Sequence, residues 1–100
     1  VTTGAGICTI PAVPTGLQAT ATAGRIAVRW DAAQAGAIPL GYVLQAGSIS
    51  SGSDRATLSL PATSTAVGGA VPAGPYFIRV AAANACGASA ASAEVAVMVP

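Results

Sequence analysis

Few side chains in this sequence are able to do chemistry. The carboxylates are Asp31, Asp54 and Glu94, the cysteines are Cys8 and Cys86, and histidine and lysine are both absent. General acid–base catalysis needs paired titratable groups, and the three carboxylates fall on different predicted elements. A serine or cysteine nucleophile needs a neighbouring base, which histidine or lysine usually supplies. The sequence therefore predicts a protein that is not an enzyme.

Metal, cofactor and nucleic-acid sites are not indicated either. The two cysteines lie far apart, no histidine accompanies them, and no Asp-x-Asp-x-Asp loop is present. Gly4-Ala-Gly6 and Gly68-Gly69 are too short to cradle a phosphate, and we interpret them as linker or turn glycines. The four arginines are scattered and form no basic stripe for a nucleic acid. We expect no metal, no cofactor and no nucleic-acid partner.

The composition is unusually poor in charge. Charged residues make up 7% of the 100 residues and the net charge is +1, against about a quarter charged in ordinary globular proteins. Weak mutual repulsion favours self-association of such a surface. No run of about twenty apolar residues occurs, so no membrane span is expected. Without an initiator methionine or a charged leader, we expect a mature or excised piece of a longer protein.

The elements that position these residues are short strands. Alternation of apolar and polar residues predicts seven of them, at roughly ten-residue intervals with turn signals between and no helical period. They cover residues 17–22, 26–30, 42–46, 58–60, 63–67, 76–82 and 94–99. This pattern predicts an all-β fold, a two-sheet antiparallel β-sandwich. Residues 1–12 lack alternation and are predicted to be an N-terminal tail or linker, which leaves 13–100 as the domain. The Ser- and Gly-rich stretch 47–54 is expected to be the most mobile loop.

Alternation also divides the side chains between a core and a surface. The predicted core is Trp30, Tyr42, Leu44, Tyr76, Ile78 and Val80. The opposite face of the 76–82 strand carries Phe77 and Arg79, which together with Val43 and Met98 form a candidate contact face. Single apolar residues on a surface are normal and do not by themselves indicate a contact site. The favoured alternative for Phe77 is therefore that it packs on neighbouring strands.

Spaced motifs connect these strands to a known family. They are Pro14-x-x-Leu17, Val28-x-Trp30-Asp31, Gly41-Tyr42-x-Leu44, Val71-Pro72-x-Gly74, Tyr76, Arg79-Val80, Asn84, Gly87 and Ser89. From Val13 to Val99 the chain resembles a fibronectin type III domain, and most of all the Ala- and Ser-rich domains of secreted bacterial proteins. The resemblance implies a seven-stranded, immunoglobulin-like sandwich. It also implies that Trp30 is the central core ring and that the Tyr76 hydroxyl bonds to nearby backbone as a tyrosine corner.

The two cysteines depart from that family, whose domains usually carry no disulfide. By the family's geometry the N-terminal tail and the loop after the tyrosine strand lie at the same pole, which implies a disulfide between Cys8 and Cys86. A bridge that closes so long a loop is worth about 4–5 kcal/mol in the chain-entropy model. A bridge to another chain and two unpaired thiols are the alternatives.

The resemblance and the lack of chemistry imply a non-catalytic β-sandwich module of a secreted or cell-surface bacterial protein, located outside the cell. It would act as a spacer or a protein–protein interaction unit, with neighbouring domains or copies of itself as partners. The alternative is a self-assembling extracellular structural subunit, of the filament type, with a charge-poor interface and residues 1–12 added to a neighbour's sheet edge. A carbohydrate-binding module is a third option that the sequence favours less, because such a module needs an aromatic platform and only Phe77 is predicted to be exposed.

Overall fold

The computed structural model describes residues 9–32 and 37–100. The described residues form eight strands and no helix. The strands are β1 (Thr15–Thr22), β2 (Arg25–Asp31), β3 (Gly41–Gly47), β4 (Ala56–Pro61), β5 (Ala66–Ala70), β6 (Gly74–Asn84), β7 (Gly87–Ala88) and β8 (Val95–Val99). The predicted all-β antiparallel sandwich is confirmed. The strand beyond the seven predicted is the two-residue β7, which is too short to show alternation. The strand predicted at 63–67 lies instead at Ala66–Ala70.

Two sheets form the sandwich. One has the order β1-β2-β5, and the other has the order β4-β3-β6-β7 with β8 also paired to β6. All these pairings are antiparallel. On one side of the sandwich β1 contacts β8 across the two sheets. On the other side, between the outer strands β5 and β4, lies an apolar crevice of about 170 Å³.

The core lies between the sheets. Trp30, Tyr42, Leu44, Tyr76, Ile78 and Val80 are all buried there. The rings of Trp30 and Tyr42 meet edge to face, with centroids 5.6 Å apart and planes at 68°, an arrangement that aromatic pairs favour. The Tyr76 hydroxyl donates a hydrogen bond to the carbonyl oxygen of Pro72 at 2.8 Å. Tyr76 therefore fixes the turn that precedes its own strand.

The interpretation of Gly68-Gly69 as turn glycines is wrong, because both lie inside β5. Their strand neighbour is β2, in which Ala27 pairs with Gly68 and Ile26 pairs with Gly69. A Cβ added at Gly68 would lie 2.8 Å from the carbonyl oxygen of Ile26. The close approach of the two backbones thus requires glycine at position 68. Pairing with β2 keeps the segment extended despite its weak intrinsic preference for a strand.

Residues 9–12 contact the domain. The Asn84 side chain donates from Nδ2 to the Thr9 carbonyl oxygen at 2.9 Å, and Pro11 is buried and bridges to Ala37. Cys8 lies outside the described residues, so its pairing with Cys86 stays a prediction. So do the boundary at residue 12 and the use of residues 1–12 as a strand for a neighbouring copy.

The chain enters and leaves the sandwich at opposite poles. At the N-terminal pole, the Leu40 N–H donates to the Ala83 carbonyl at 2.8 Å, beside the contact of Asn84 with Thr9. At the C-terminal pole, Val99 pairs with Gly74, the first residue of β6. Strand β6 runs from one pole to the other. Residues 9 and 99 are therefore separated by about the full length of the domain.

Candidate functional site

The outer face of the larger sheet holds the predicted contact residues. Register places Val43 opposite Ala81 and Met98 opposite Pro75, which puts both on the same face as Phe77 and Arg79. Met98 neighbours Phe77 diagonally, whereas Val43 lies beyond the row of Arg79. The structure thus brings the four residues to one face but separates Val43 from the other apolar members.

The loop between β3 and β4 covers part of this face. Gly47 is opposite Phe77, and the backbone of Gly52 lies so close over Gly47 that no Cβ would fit there. The Arg79 guanidinium donates from Nη1 to the Gly52 carbonyl at 3.0 Å. Phe77 is half-buried, which agrees with the favoured alternative that it packs on its neighbours, and its role as a contact residue stays a prediction. Met98, which is 63% exposed, is the exposed apolar member of the four.

Glu94 holds the tip of that loop from across the face. It accepts hydrogen bonds from the Ser50 hydroxyl at 2.6 Å and the Ser51 N–H at 2.7 Å, and it lies 3.7 Å from Arg79. The Ser50 hydroxyl, followed by the Ser51 N–H and the charge of Arg79, lowers the pKa of Glu94 from its ordinary value. The loop predicted to be the most mobile is therefore anchored by a residue 43 positions away from Ser51. Such a partner leaves no local signal in the sequence.

Asp54 closes the base of the same loop. Its two carboxylate oxygens accept from the Ser48 N–H at 2.9 Å and the Ser48 hydroxyl at 2.7 Å. The Ser48 hydroxyl and N–H lower the pKa of Asp54. Both loop carboxylates are thus ionised at neutral pH and engaged in structural hydrogen bonds, which suits neither for general acid catalysis.

Arg55 belongs to the core edge rather than to a binding surface. Its guanidinium lies 4.7 Å from the centroid of the Tyr76 ring, a cation–π contact. It also lies against Gly74, where an added Cβ would be 2.8 Å from an arginine nitrogen and where φ is 136°. Sequence reasoning missed this contact, because the two residues meet only when β4 and β6 flank β3.

The outer face of the smaller sheet carries an open trough of about 550 Å³. Its lining includes Gln18, Thr20, Ala27, Arg29, Ala66 and Gly68. Arg29 donates to the Gln18 side-chain oxygen from both Nε (2.9 Å) and Nη2 (2.7 Å). These bonds fix Arg29 beside a groove floored by small side chains.

The N-terminal pole exposes apolar side chains. Ile38 is 84% exposed, Leu40 is 69% exposed and Ile10 is 45% exposed. Ile10 lies near Gly87, where an added Cβ would be 3.4 Å from its Cγ2. Three aliphatic residues at one pole form an apolar surface next to the incoming chain, which is a feature of contact sites.

Two other features are absent from residues 9–32 and 37–100. Within these ranges no three His, Cys, Asp or Glu side chains are grouped so that they could hold a metal ion. The same ranges contain no helix of the length and apolarity needed to cross a membrane.

Comparisons with known proteins agree with this architecture. Residues 12–98 match the family model of the fibronectin type III domain. Similar solved structures include the chicken CNTN1 FN1-FN3 domains (18% identity, 91% of this chain and 31% of that chain, TM-score 0.74) and the fn3 domain of human contactin 1 (19%, 86% and 75%, 0.71). The FN5 domain of Drosophila Lar is also similar (21%, 90% and 97%, 0.66). This chain thus spans about a third of the chicken chain. A search of curated proteins found no match.

Proposed function

We propose that this chain, which belongs to the fibronectin type III domain family, is a module of a secreted or cell-surface bacterial protein, where it acts as a spacer and protein–protein interaction unit. The observation that carries this proposal is the path of the chain. Residues 9 and 99 lie at opposite poles, joined by the length of β6. Domains linked through such poles extend end to end and hold their neighbours apart.

The N-terminal pole supports the interaction part of the proposal. Ile38 and Leu40 expose most of their surface there, next to the point where the chain arrives. A neighbouring domain that packs on these side chains would remove apolar area from water and limit bending at the junction. The pole thus suits contact with the preceding domain of the parent chain.

The hydrogen bonding of the ionisable groups supports a non-catalytic role. Glu94 and Asp54 accept bonds from the loop between β3 and β4, and Arg55 packs on Tyr76. In these positions the groups stabilise the fold instead of facing a cleft.

A disulfide between Cys8 and Cys86 fits an extracellular location. Thr9, the residue after Cys8, accepts a hydrogen bond from Asn84, two residues before Cys86. Thr9 and Asn84 therefore lie at the same pole, which supports the proposed bridge. We propose that the bridge fastens the incoming chain to the domain, so that mechanical pull on the tail reaches the sandwich.

Chains of one to four copies, joined C-terminus to N-terminus, test the spacer function. Small-angle scattering should show a maximum dimension that grows by a constant step with each copy. The matched fusion with Ile38→Ser and Leu40→Ser at every pole should be more flexible, with the same step in contour length. A maximum dimension that stops growing after two copies would refute the spacer role.

A further inference from the structure

The outer face of the smaller sheet has a charge pattern that the spacer function does not use. In β2 the buried residues Val28 and Trp30 alternate with the outward residues Arg25, Ala27, Arg29 and Asp31. Both ends of this outward row therefore carry a charge, of opposite sign, and the trough lies between them. The flanking strands add polar or small side chains to this face, namely Gln18, Thr20, Thr22, Ala66, Gly68 and Ala70.

The two end charges are unable to neutralise each other within one domain. Arg25 and Asp31 lie six positions apart along an extended strand, a distance of about 20 Å. Among residues 9–32 and 37–100 the ion pair that forms is the one between Arg79 and Glu94. Arg25 and Asp31 are both exposed, so each is available to an opposite charge on another molecule.

We propose that this face binds the same face of a second copy in antiparallel orientation, through a twofold axis that passes beside Val28. The axis lies in the contact plane and perpendicular to the strands. It sets Arg25 of each copy opposite Asp31 of the other, because both lie three residues from position 28. This gives two symmetric ion pairs, whereas the parallel arrangement would set like charges opposite each other. The inference rests on the proposed function, since it names a partner for the interaction module.

The shape of the face supports the same axis. Arg29 and Ala27 lie one residue on either side of Val28, so the large side chain of one copy faces the small side chain of the other. The trough beside Ala27 is open because its β5 neighbour is Gly68. Arg29 is already held in one conformation by its two bonds to Gln18 on the neighbouring strand. Less side-chain freedom is therefore lost when Arg29 enters the trough of the second copy.

The size of the face sets the strength of the association. Three strands of about seven residues cover roughly 14 Å by 24 Å, or about 340 Å² per copy. Stable interfaces bury about 800 Å² per partner, so the dimer is weak and transient in solution. Copies on neighbouring molecules held close together at one surface would associate far more, because their effective concentration is high.

The experiment uses the isolated domain and two charge-reversed variants, Arg25→Glu and Asp31→Lys. Self-association is measured by NMR line widths and chemical shifts up to about 1 mM, and by sedimentation. The wild type should show concentration-dependent shifts confined to β1, β2 and β5, which weaken as salt rises. Each variant alone should associate at least about tenfold more weakly, because two attractions become two repulsions.

An equimolar mixture of the two variants is the decisive sample. The glutamate introduced by Arg25→Glu in one chain then faces the lysine introduced by Asp31→Lys in the other, while the unchanged Arg25 and Asp31 form the second pair. Association should therefore return to within about threefold of the wild type. Thr57→Glu, on the exposed outer face of β4, is the control and should change nothing. Arg25→Gln and Asp31→Asn repeat the weakening if a reversed variant does not fold.

Absence of concentration dependence in the wild type, or a mixture that stays dissociated, would overturn the proposed dimer. Either result leaves the stepwise lengthening of the tandem fusions intact, since that lengthening depends on the poles and not on this face. Failure of the dimer and failure of the spacer function are therefore distinguishable.

Discussion

Replacing Gly69 with alanine should raise the free energy of unfolding, whereas the same replacement at the adjacent Gly68 should lower it. Gly69 pairs with Ile26 and shares its inward direction, towards the apolar crevice between β5 and β4. A Cβ at position 69 would meet no atom within 4 Å. A Cβ at position 68 would meet the Ile26 carbonyl oxygen at 2.8 Å and the Ala27 Cα at 3.4 Å.

The magnitudes follow from these two environments. At Gly69 the alanine removes about 0.4–1 kcal/mol of unfolded-state entropy. Its methyl group meets no atom within 4 Å, so it adds no crowding and little burial to this gain. The expected gain is therefore about 0.4–1 kcal/mol. At Gly68 the entropy gain is the same, but strands β2 and β5 must move apart, and such crowding costs about 1–3 kcal/mol. The net loss there is about 1 kcal/mol.

Urea unfolding at micromolar concentration, followed by Trp30 fluorescence, measures both variants. The two should differ by about 2 kcal/mol, or roughly 8–16 °C in Tm for a domain of this size. The wild type is the common reference, and equal slopes of the urea transitions would show that the unfolded states are comparable. If Gly68→Ala is as stable as Gly69→Ala, the close approach of β2 and β5 is not what restricts position 68.

Three further predictions concern single contacts. Tyr76→Phe should lower the free energy of unfolding by about 1 kcal/mol in urea titrations, because the Pro72 carbonyl loses its donor; an unchanged midpoint would show that water replaces the hydroxyl. The lowered pKa of Glu94 means that its stabilisation is present above the ordinary carboxyl pKa and is lost as the pH falls below about 4. Glu94→Gln should therefore lose less stability between pH 7 and pH 3 than the wild type, and equal losses would contradict the role of its hydrogen bonds. Cys8→Ser, Cys86→Ser and the double variant should be equally destabilised, by up to about 4–5 kcal/mol, and alkylated free thiols in oxidised wild type would disprove the bridge.

Much of the fold is predictable from the sequence because strand alternation is a local property. Trp30, Tyr42 and Tyr76 stand at inward positions of strands whose period of two is visible without knowing any neighbour. Chain direction and turn residues then leave few ways to pair such strands. The segment of Gly68 and Gly69 escaped this reasoning because glycine carries no side chain to alternate, and the backbone of β2 is what keeps it extended.

The candidate surfaces were harder to predict, because they depend on which distant residues meet. Alternation placed Phe77 and Arg79 outward, but not the loop that folds over them. That cover depends on Glu94 reaching Ser50 and on Gly52 lying against Gly47. Hydrogen bonds between residues far apart in sequence have no spacing rule, so composition alone indicated a mobile loop.

The sequence by itself determined that this protein is a small all-β domain with little ionisable chemistry, because side-chain types and their alternation are fixed along the chain. Tertiary structure alone decided which faces are open. In the folded chain Phe77 is half-buried, and Glu94 and Asp54 accept hydrogen bonds from the loop between β3 and β4. Arg25 and Asp31 stay exposed at opposite ends of an open sheet face. The physical reason is that exposure and charge pairing depend on distances across the sheets, which are set only when separate strands are brought together.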